Sequence, residues 1–213
     1  KSWKDINFTK VPLDGLLRKG LNILTIHGKK INNILGGGYH SKVSDFKNHM
    51  PTELETVYIV GDFILRYENN NYYIDGDVLT PNPKDITSTG YPFYAGAIEV
   101  NYDLYLHNTI IENLYLRVNE VNAVCIELYI NNEYMGLRYW KPYIFNVSNK
   151  LKKGNNIIKI KAYNTLFNLM GPNNYKDVLN TVLITPNTFT KFEKFTENPT
   201  IIPFGVGSID ILD

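Results

Sequence analysis

Along the middle of the chain, between Asn101 and Ile184, apolar residues fall in short runs cut by Asn, Gly and Pro clusters. In "AVCIELYI" the residues Val124, Ile126, Leu128 and Ile130 share one side, while Cys125, Glu127 and Tyr129 share the other. A period of two with one apolar face predicts a half-buried strand. "LYLRV" repeats the device, with Leu114, Leu116 and Val118 set against Tyr115 and Arg117. Asn131 and Asn132 come directly after the first of these runs, and Asn tolerates a positive φ, so "INNEYMG" predicts a tight hairpin. A second hairpin is expected within "ETVYIVGDFILRYENNNYYIDGDVL", turning through Asn69, Asn70 and Asn71. The closing stretch "TKFEKFTENPTIIPFGVGSIDIL" carries two prolines and suits an extended tail that adds an edge strand. Helical periodicity is confined to a single expected turn in "YKDVLNTVLI". Residues 29–51 are polar and Gly-rich around "GGGYHS", the composition of a connector or long surface loop.

One phrase occurs twice. "KLKKGNNIIKIKAYN", from Lys150 to Asn164, echoes "LLRKGLNILTIHGKK", from Leu16 to Lys30, at an offset of 134 positions. Gly154 offers a positive-φ turn, Asn155 and Asn156 extend it, and Ile158, Ile160 and Ala162 supply an inward face. Gly20, Asn22, Leu24 and Ile26 occupy the matching positions. A tandem duplication needs comparable strands before each copy, yet 15 residues precede Leu16, too few for a sandwich. The first copy therefore either ends a domain that begins upstream or lends its strand to the later sheets, with the former preferred.

Composition narrows the fold class to all-β. Tyr and Phe are abundant, Ile and Val recur, and Ala is scarce, which favours pleated surfaces. The expected architecture is a jelly-roll β-sandwich over residues 89–213, preceded over residues 1–88 by an N-terminal β segment, connector and hairpin. At 213 residues the chain is long enough to bury a sizeable core. Twenty-two basic against twenty-one acidic side chains leave a net charge of +1, without the excess that attraction to nucleic acid or an anionic membrane requires. No apolar run reaches the roughly 20 residues of a membrane-spanning helix. The reading is of a soluble, excised or processed piece whose compartment, secreted or cytoplasmic, is open. A single cysteine, Cys125, rules out an intrachain disulfide framework or a thiolate metal cage and reads as a small buried hydrophobe.

Candidate chemistry is sparse. Glu55, Asp62, Asp75 and Asp77 have no spacing that singles out an acid and a base, so they read as solvated or turn-capping groups, the alternative being a jelly-roll carbohydrate-active enzyme whose acids come from loops around Glu55 and Asp62. His40, Asp45 and His49 lie close in sequence, but no helix or cysteine fixes them as a metal site. A structural calcium held by loop oxygens suits the composition better, though no ligand set is assigned. There is no G-x-S-x-G elbow, Walker loop or dinucleotide fingerprint, and no cofactor is implied. Asn-x-Ser/Thr sequons end at Thr9 and Ser148. The informative grouping is aromatic: Tyr91, Phe93 and Tyr94 in "GYPFYAG", and Tyr139, Trp140 and Tyr143 in "LRYWKPY". Flat rings at loop ends stack on the C–H faces of sugars, with neighbouring Arg, Lys and Asn free to bond hydroxyls. The competing reading places the same rings in the core and makes the chain a purely structural or adhesive module with no sugar contact.

These phrases carry a resemblance. "PFYAG" and "VCIELYINNEYMGLRYWKPYIFNVSNKLKKGNNIIKIKAYNTLFNLMG" are similar to the galactose-binding-like β-sandwich of large bacterial glycoside hydrolases. The nearest likeness is to the sugar-binding domains of family 2 enzymes and the C-terminal region of α-L-rhamnosidase-type enzymes. Ile130, Asn131 and Asn132 match the strand-end turn, Trp140, Lys141 and Pro142 the aromatic-proline segment, and Lys153, Gly154, Asn155 and Asn156 the turn into the last core strand. Asn132 stands where the family has glycine and Asn155 where it has an acidic residue; both suit turns. The resemblance covers about Tyr91–Gly171, with "YIVGDFIL" similar to the strand before the sandwich. It implies an accessory module whose partners are carbohydrate and an upstream catalytic domain of the same polypeptide. In such enzymes the catalytic carboxylates belong to a separate barrel, so no catalytic residue is carried over. The expected carbohydrate contacts are Tyr91, Tyr94, Arg138, Tyr139 and Trp140.

Overall fold

The computed structural model describes residues 2–3, 5–28, 57–76, 80–108, 112–180 and 195–212. The chain forms two compact units, Lys1–Ile59 and Val60–Asp213. In the first, β1 (Ser2–Trp3) pairs antiparallel with β2 (Asp5–Thr9), and an irregular stretch continues to residue 28.

The second unit opens with a hairpin, β3 (Ile64–Glu68) and β4 (Asn71–Asp75), joined through Asn69 and Asn70 at φ 50° and 62°. Two positive φ values in a two-residue loop match the twist of the flanking strands, so the turn is the asparagine turn the sequence predicts. A salt bridge from Arg66 to Asp75 spans the pair. The sequence pattern groups this hairpin with the N-terminal segment, dividing the chain at 88/89. The compact units instead divide after Ile59, because the hairpin is tied to the segment around Gly90 and Phe93. Leu65 N donates to Gly90 O at 2.8 Å, Ile64 is buried against Gly90, and the Tyr72 ring meets Phe93 edge-on at 5.1 Å.

Seven further strands make two antiparallel sheets. One holds β5 (Ala97–Leu106), β7 (Cys125–Ile130), β8 (Glu133–Arg138) and β10 (Gly154–Tyr163) in the order β5-β10-β7-β8. The other holds β6 (Tyr115–Val118), β9 (Ile144–Asn146) and β11 (Ile209–Leu212) in the order β11-β6-β9. Side chains from both sheets form one core. Ile126, Leu128 and Ile130 of β7 and Ile158, Ile160 and Ala162 of β10 meet Leu116 and Val118 of β6 and Phe145 of β9. Each large aliphatic residue so buried contributes roughly 1.5–3 kcal/mol relative to exposure. This is the β-sandwich that alternation predicts. Asn131 and Asn132, at φ 50° and 69°, turn β7 into β8, and β11 is the expected edge strand from the C-terminal tail.

The tail does more than pair at an edge. Gly205 bridges Asn122, and the buried Phe204 and Val206 on either side of it enter the core. Ile86 N donates to Phe204 O at 2.9 Å and Val206 N to Pro83 O at 2.7 Å. A Cβ on Gly205 would stand 2.3 Å from Pro83 O, so only glycine permits this approach. Two alternation readings need correction. Val124 lies before β7 and is exposed rather than inward-facing. Cys125 is half-buried on the outer side rather than a core residue, and burial pushes its thiol up, with Glu127 adding to the effect. A short helix α1 (Phe167–Met170) and 3-10 turns at Ile86–Thr89 and Val178–Asn180 supply the little helix present among the described residues, of which none is long and apolar enough to cross a membrane.

Candidate functional site

Strand register gathers several of the predicted residues at one end of the four-stranded sheet. Tyr163 of β10 pairs with Ala97 on one side and Cys125 on the other, and Ile126 pairs with Arg138. The segments that leave this end are therefore Tyr94–Gly96 before β5, Asn164–Thr165 after β10, Val121–Val124 before β7 and Tyr139–Trp140 after β8. With neighbouring strands about 4.8 Å apart, Tyr94 and Tyr139 lie beyond opposite edges of the same end.

On the β8 side, Arg138 is held inward. Its Nε donates to Ile144 O at 3.1 Å, one Nη donates to Leu137 O at 2.9 Å, and the guanidinium lies 4.7 Å over the Phe145 ring. Tyr143 is buried, and its carbonyl accepts from Val118 N at 3.0 Å. The loop between is pinned at both ends, and its two consecutive rings are left to solvent: Tyr139 is 56% and Trp140 75% exposed. Their centroids are 5.8 Å apart with planes tilted by 35°, forming a bent aromatic surface. Indole offers its apolar face and a single N–H donor, which suits a ligand with alternating C–H and hydroxyl groups.

On the β5 side the polar groups are committed to the protein. Tyr94 donates its hydroxyl to Ala97 O at 2.7 Å and stacks on Phe204 at 6.2 Å. Asn164 donates to Tyr94 O and accepts from Gly96 N, both at 2.8 Å. Tyr91 is half-buried against the core. Of the five expected contacts, Tyr139 and Trp140 present free faces together, Arg138 and Tyr91 are built into the fold, and Tyr94 is exposed with its hydroxyl committed to Ala97.

At the same end of the sheet, where β10 ends and β7 begins, lies a cleft of about 290 Å³, lined by Val121–Val124, Asn164, Thr165, Asn168, Ile202, Pro203 and Phe204. The lining has no ionisable side chain, so it offers neither a general acid nor a base. Its back wall is organised by Asn168, which is buried, donates to Ile202 O at 2.8 Å and accepts from Ile202 N at 2.9 Å. Sequence reasoning misses this cleft, because its walls come from segments more than 30 residues apart. The available signal is one amide inside the apolar phrase "LFNLM".

Titration is perturbed elsewhere. On the outer side of the four-stranded sheet a 2.8 Å hydrogen bond to Glu127, reinforced by burial, pushes the Tyr129 phenol up to about 12. Lys161 is raised by its neighbour Tyr163. Arg117 at 2.6 Å and Asn119 at 3.0 Å hold the Asp210 carboxyl below its usual range and tie β11 to β6. Among the described residues no three His, Cys, Asp or Glu side chains gather as a metal site. His40, Asp45, His49, Glu55 and Asp77 lie outside the described residues, while Asp62 is exposed.

No family model matches the chain, and no curated protein does. Among solved structures it is similar to a rhamnosidase from Novosphingobium sp. PP1Y, at 14% identity over 74% of this chain and 16% of that one, with a TM-score of 0.44. It is also similar to a β-glucuronidase from Bifidobacterium dentium, at 15% identity over 38% of this chain and 14% of that one, TM-score 0.34. A third is a β-glucuronidase from Ruminococcus gnavus, at 17% identity over 44% and 16% of the two chains, TM-score 0.34. These neighbours are glycoside hydrolases matched over part of their length, and the chain spans about one sixth of the rhamnosidase.

Proposed function

We propose that this chain is a non-catalytic accessory β-sandwich of galactose-binding-like, jelly-roll type from a bacterial glycoside hydrolase. It packs on a catalytic domain of the same polypeptide and contacts carbohydrate through Tyr139 and Trp140. The observation that carries the reading is the exposed Tyr139–Trp140 pair, held on a loop pinned by Arg138 and Tyr143. Two large rings left in water are an unfavourable use of apolar surface unless a partner covers them. The cleft at the same end of the sheet, neutral and mostly apolar, suits an uncharged ligand rather than a phosphate or carboxylate. The turn phrases from Ile130 to Asn156 support the family assignment.

The test is Trp140→Ala, read by retention in polysaccharide-containing native gels and by melting temperature together. Because Trp140 is exposed, its loss should change stability by no more than about 0.5 kcal/mol. Retention on the polysaccharides that slow the parent chain should fall several-fold, since stacking on one or two rings supplies most of a weak affinity. Unchanged retention would remove the carbohydrate contact from Trp140. A purely structural or adhesive role is favoured by a specific observation at the β5 side of the sheet, where Tyr94 and Asn164 spend their polar groups on backbone. That role predicts no retention by the parent chain on any glycan.

A further inference from the structure

The two copies of the repeated phrase fold into the same local structure. In the later one, Lys150 N donates to Val147 O at 3.1 Å, Asn149 has φ 61° and Gly154 has φ 93°. The Asn156 amide accepts from Lys152 N at 2.9 Å and donates to Lys152 O at 2.8 Å and Gly154 O at 3.2 Å. Each feature recurs 134 positions earlier. Leu16 N donates to Leu13 O at 3.0 Å, Gly15 has φ 73° and Gly20 has φ 96°. The Asn22 amide accepts from Arg18 N at 3.0 Å and donates to Arg18 O at 2.7 Å and Gly20 O at 2.9 Å. Two positive-φ residues and a three-bond asparagine clasp at fixed spacing amount to one device for launching a strand, built twice.

The segments launched by the two copies have different fates. The later copy launches β10, paired along both edges, with Ile158, Ile160 and Ala162 fully buried. After the earlier copy, Leu21–Gly28 pairs with no strand among the described residues. Leu21 and Ile23 are each 82% exposed, Leu24 57% and Ile26 51%. Four apolar residues in six, on a segment primed to extend, form the kind of surface that soluble proteins cover by pairing.

We infer that Leu21–Ile26 is the central strand of a second antiparallel sheet, and that its partner is another β-sandwich whose flanking strands precede Leu13 in the parent polypeptide. The order of elements argues for that partner. Both neighbours of β10, Ala97–Leu106 and Cys125–Ile130, come earlier in the chain than the device that launches it. The same insertion by the earlier copy draws on strands that come before it. Leu24 and Ile26 then take the inward places that Ile158 and Ile160 hold in β10, and Leu17 takes that of the buried Leu151. Strand addition of this kind draws affinity from main-chain bonds on both edges and selectivity from alternate side-chain pockets.

The experiment compares amide hydrogen exchange in the 213-residue chain with that in a chain extended upstream, along its own reading frame, by about 100 residues, the size of one sandwich. Extension should slow the amides of Leu21–Ile26 at least about 100-fold, towards the rates of Ile158–Ala162. In the extended chain Ile26→Asp should abolish that slowing and leave Ile158–Ala162 unchanged. Fast exchange after extension, or a reading frame too short to encode a sandwich upstream, overturns the inference. So does slow exchange already present in the 213-residue chain. If it is independent of concentration the strand pairs within this chain, and if it grows with concentration the partner is a second copy. Retention of protection by Ile26→Asp overturns it as well.

Discussion

Residues 13–28 and 147–162 differ less in conformation than in company. Both make the same turn, set glycine at nearly the same positive φ, and clasp it with an asparagine four residues from its backbone partner. One then disappears into the middle of a sheet and the other stays in solvent. Turn chemistry is local, satisfied by side chains within five residues of the turn. Pairing depends on strands brought from elsewhere in the chain. The largest expected contrast lies where company matters most. Ile160→Ala opens a cavity in a closed core and should cost about 2–5 kcal/mol. Its counterpart Ile26→Ala removes exposed atoms and should stay within about 0.5 kcal/mol. Chemical denaturation of both variants in the 213-residue chain checks this, and comparable losses would mean that Ile26 is packed against something in solution.

The asparagines sharpen the same contrast. Asn156 is buried, and besides its clasp its amide oxygen accepts from Asn131 at 3.0 Å, while Asn131 in turn accepts from Ile157 N at 3.1 Å. Asn156→Ala therefore removes the acceptor of the Lys152 amide and of Asn131 Nδ2 at a buried position, although Asn131 keeps its bond from Ile157 N. The expected cost is about 1–3 kcal/mol. Asn22 makes the same clasp in the open, where water replaces each lost bond, so Asn22→Ala should cost no more than about 0.5 kcal/mol. Urea midpoints of the two variants test it. If Asn22→Ala were as damaging, the clasp itself rather than its burial would be stabilising.

Legibility in the sequence obeys the same division. The turns at Asn69–Asn70 and Asn131–Asn132 could be read because positive φ has a local residue signature, and Leu114, Leu116, Val118, Ile126, Leu128 and Ile130 because a face of period two requires only its own strand. The echo itself was visible, and the structure gives it matching turns. The candidate site was legible only in part. Aromatic content marked Tyr94 and Trp140 alike, but whether a polar handle is free depends on distant atoms. Tyr94 spends its hydroxyl on Ala97 and stacks on Phe204, and Arg138 spends its guanidinium on Ile144, while Tyr139 and Trp140 remain uncommitted because the loop ends around them are occupied. The cleft was invisible because the peptide bearing Ile202–Phe204 comes from the chain's far end, and nothing local to Asn168 announces the Ile202 backbone that it meets.

The glycines give the smallest and most discriminating test. Gly154 and Gly20 have φ values of 93° and 96°, and a Cβ built on either meets nothing within 4 Å. Substitution therefore adds no clash with neighbouring side chains, and its cost is that of holding an L-residue in a left-handed conformation. For Gly154→Ala this should be about 1 kcal/mol, because the strand it launches is part of the cooperative core. Asn visits positive φ more readily than Ala, as it does at Asn149 in the same turn, so Gly154→Asn should cost less than Gly154→Ala although its side chain is larger. The opposite order would mean that space, not backbone conformation, limits the site. At Gly20 the intrinsic strain is the same, but Leu21–Ile26 has no described pairing to lose, so Gly20→Ala should leave the melting transition of the 213-residue chain unmoved. In a chain that supplies the missing sheet, the same substitution should become as costly as Gly154→Ala, because the turn would then be launching a strand that the fold uses.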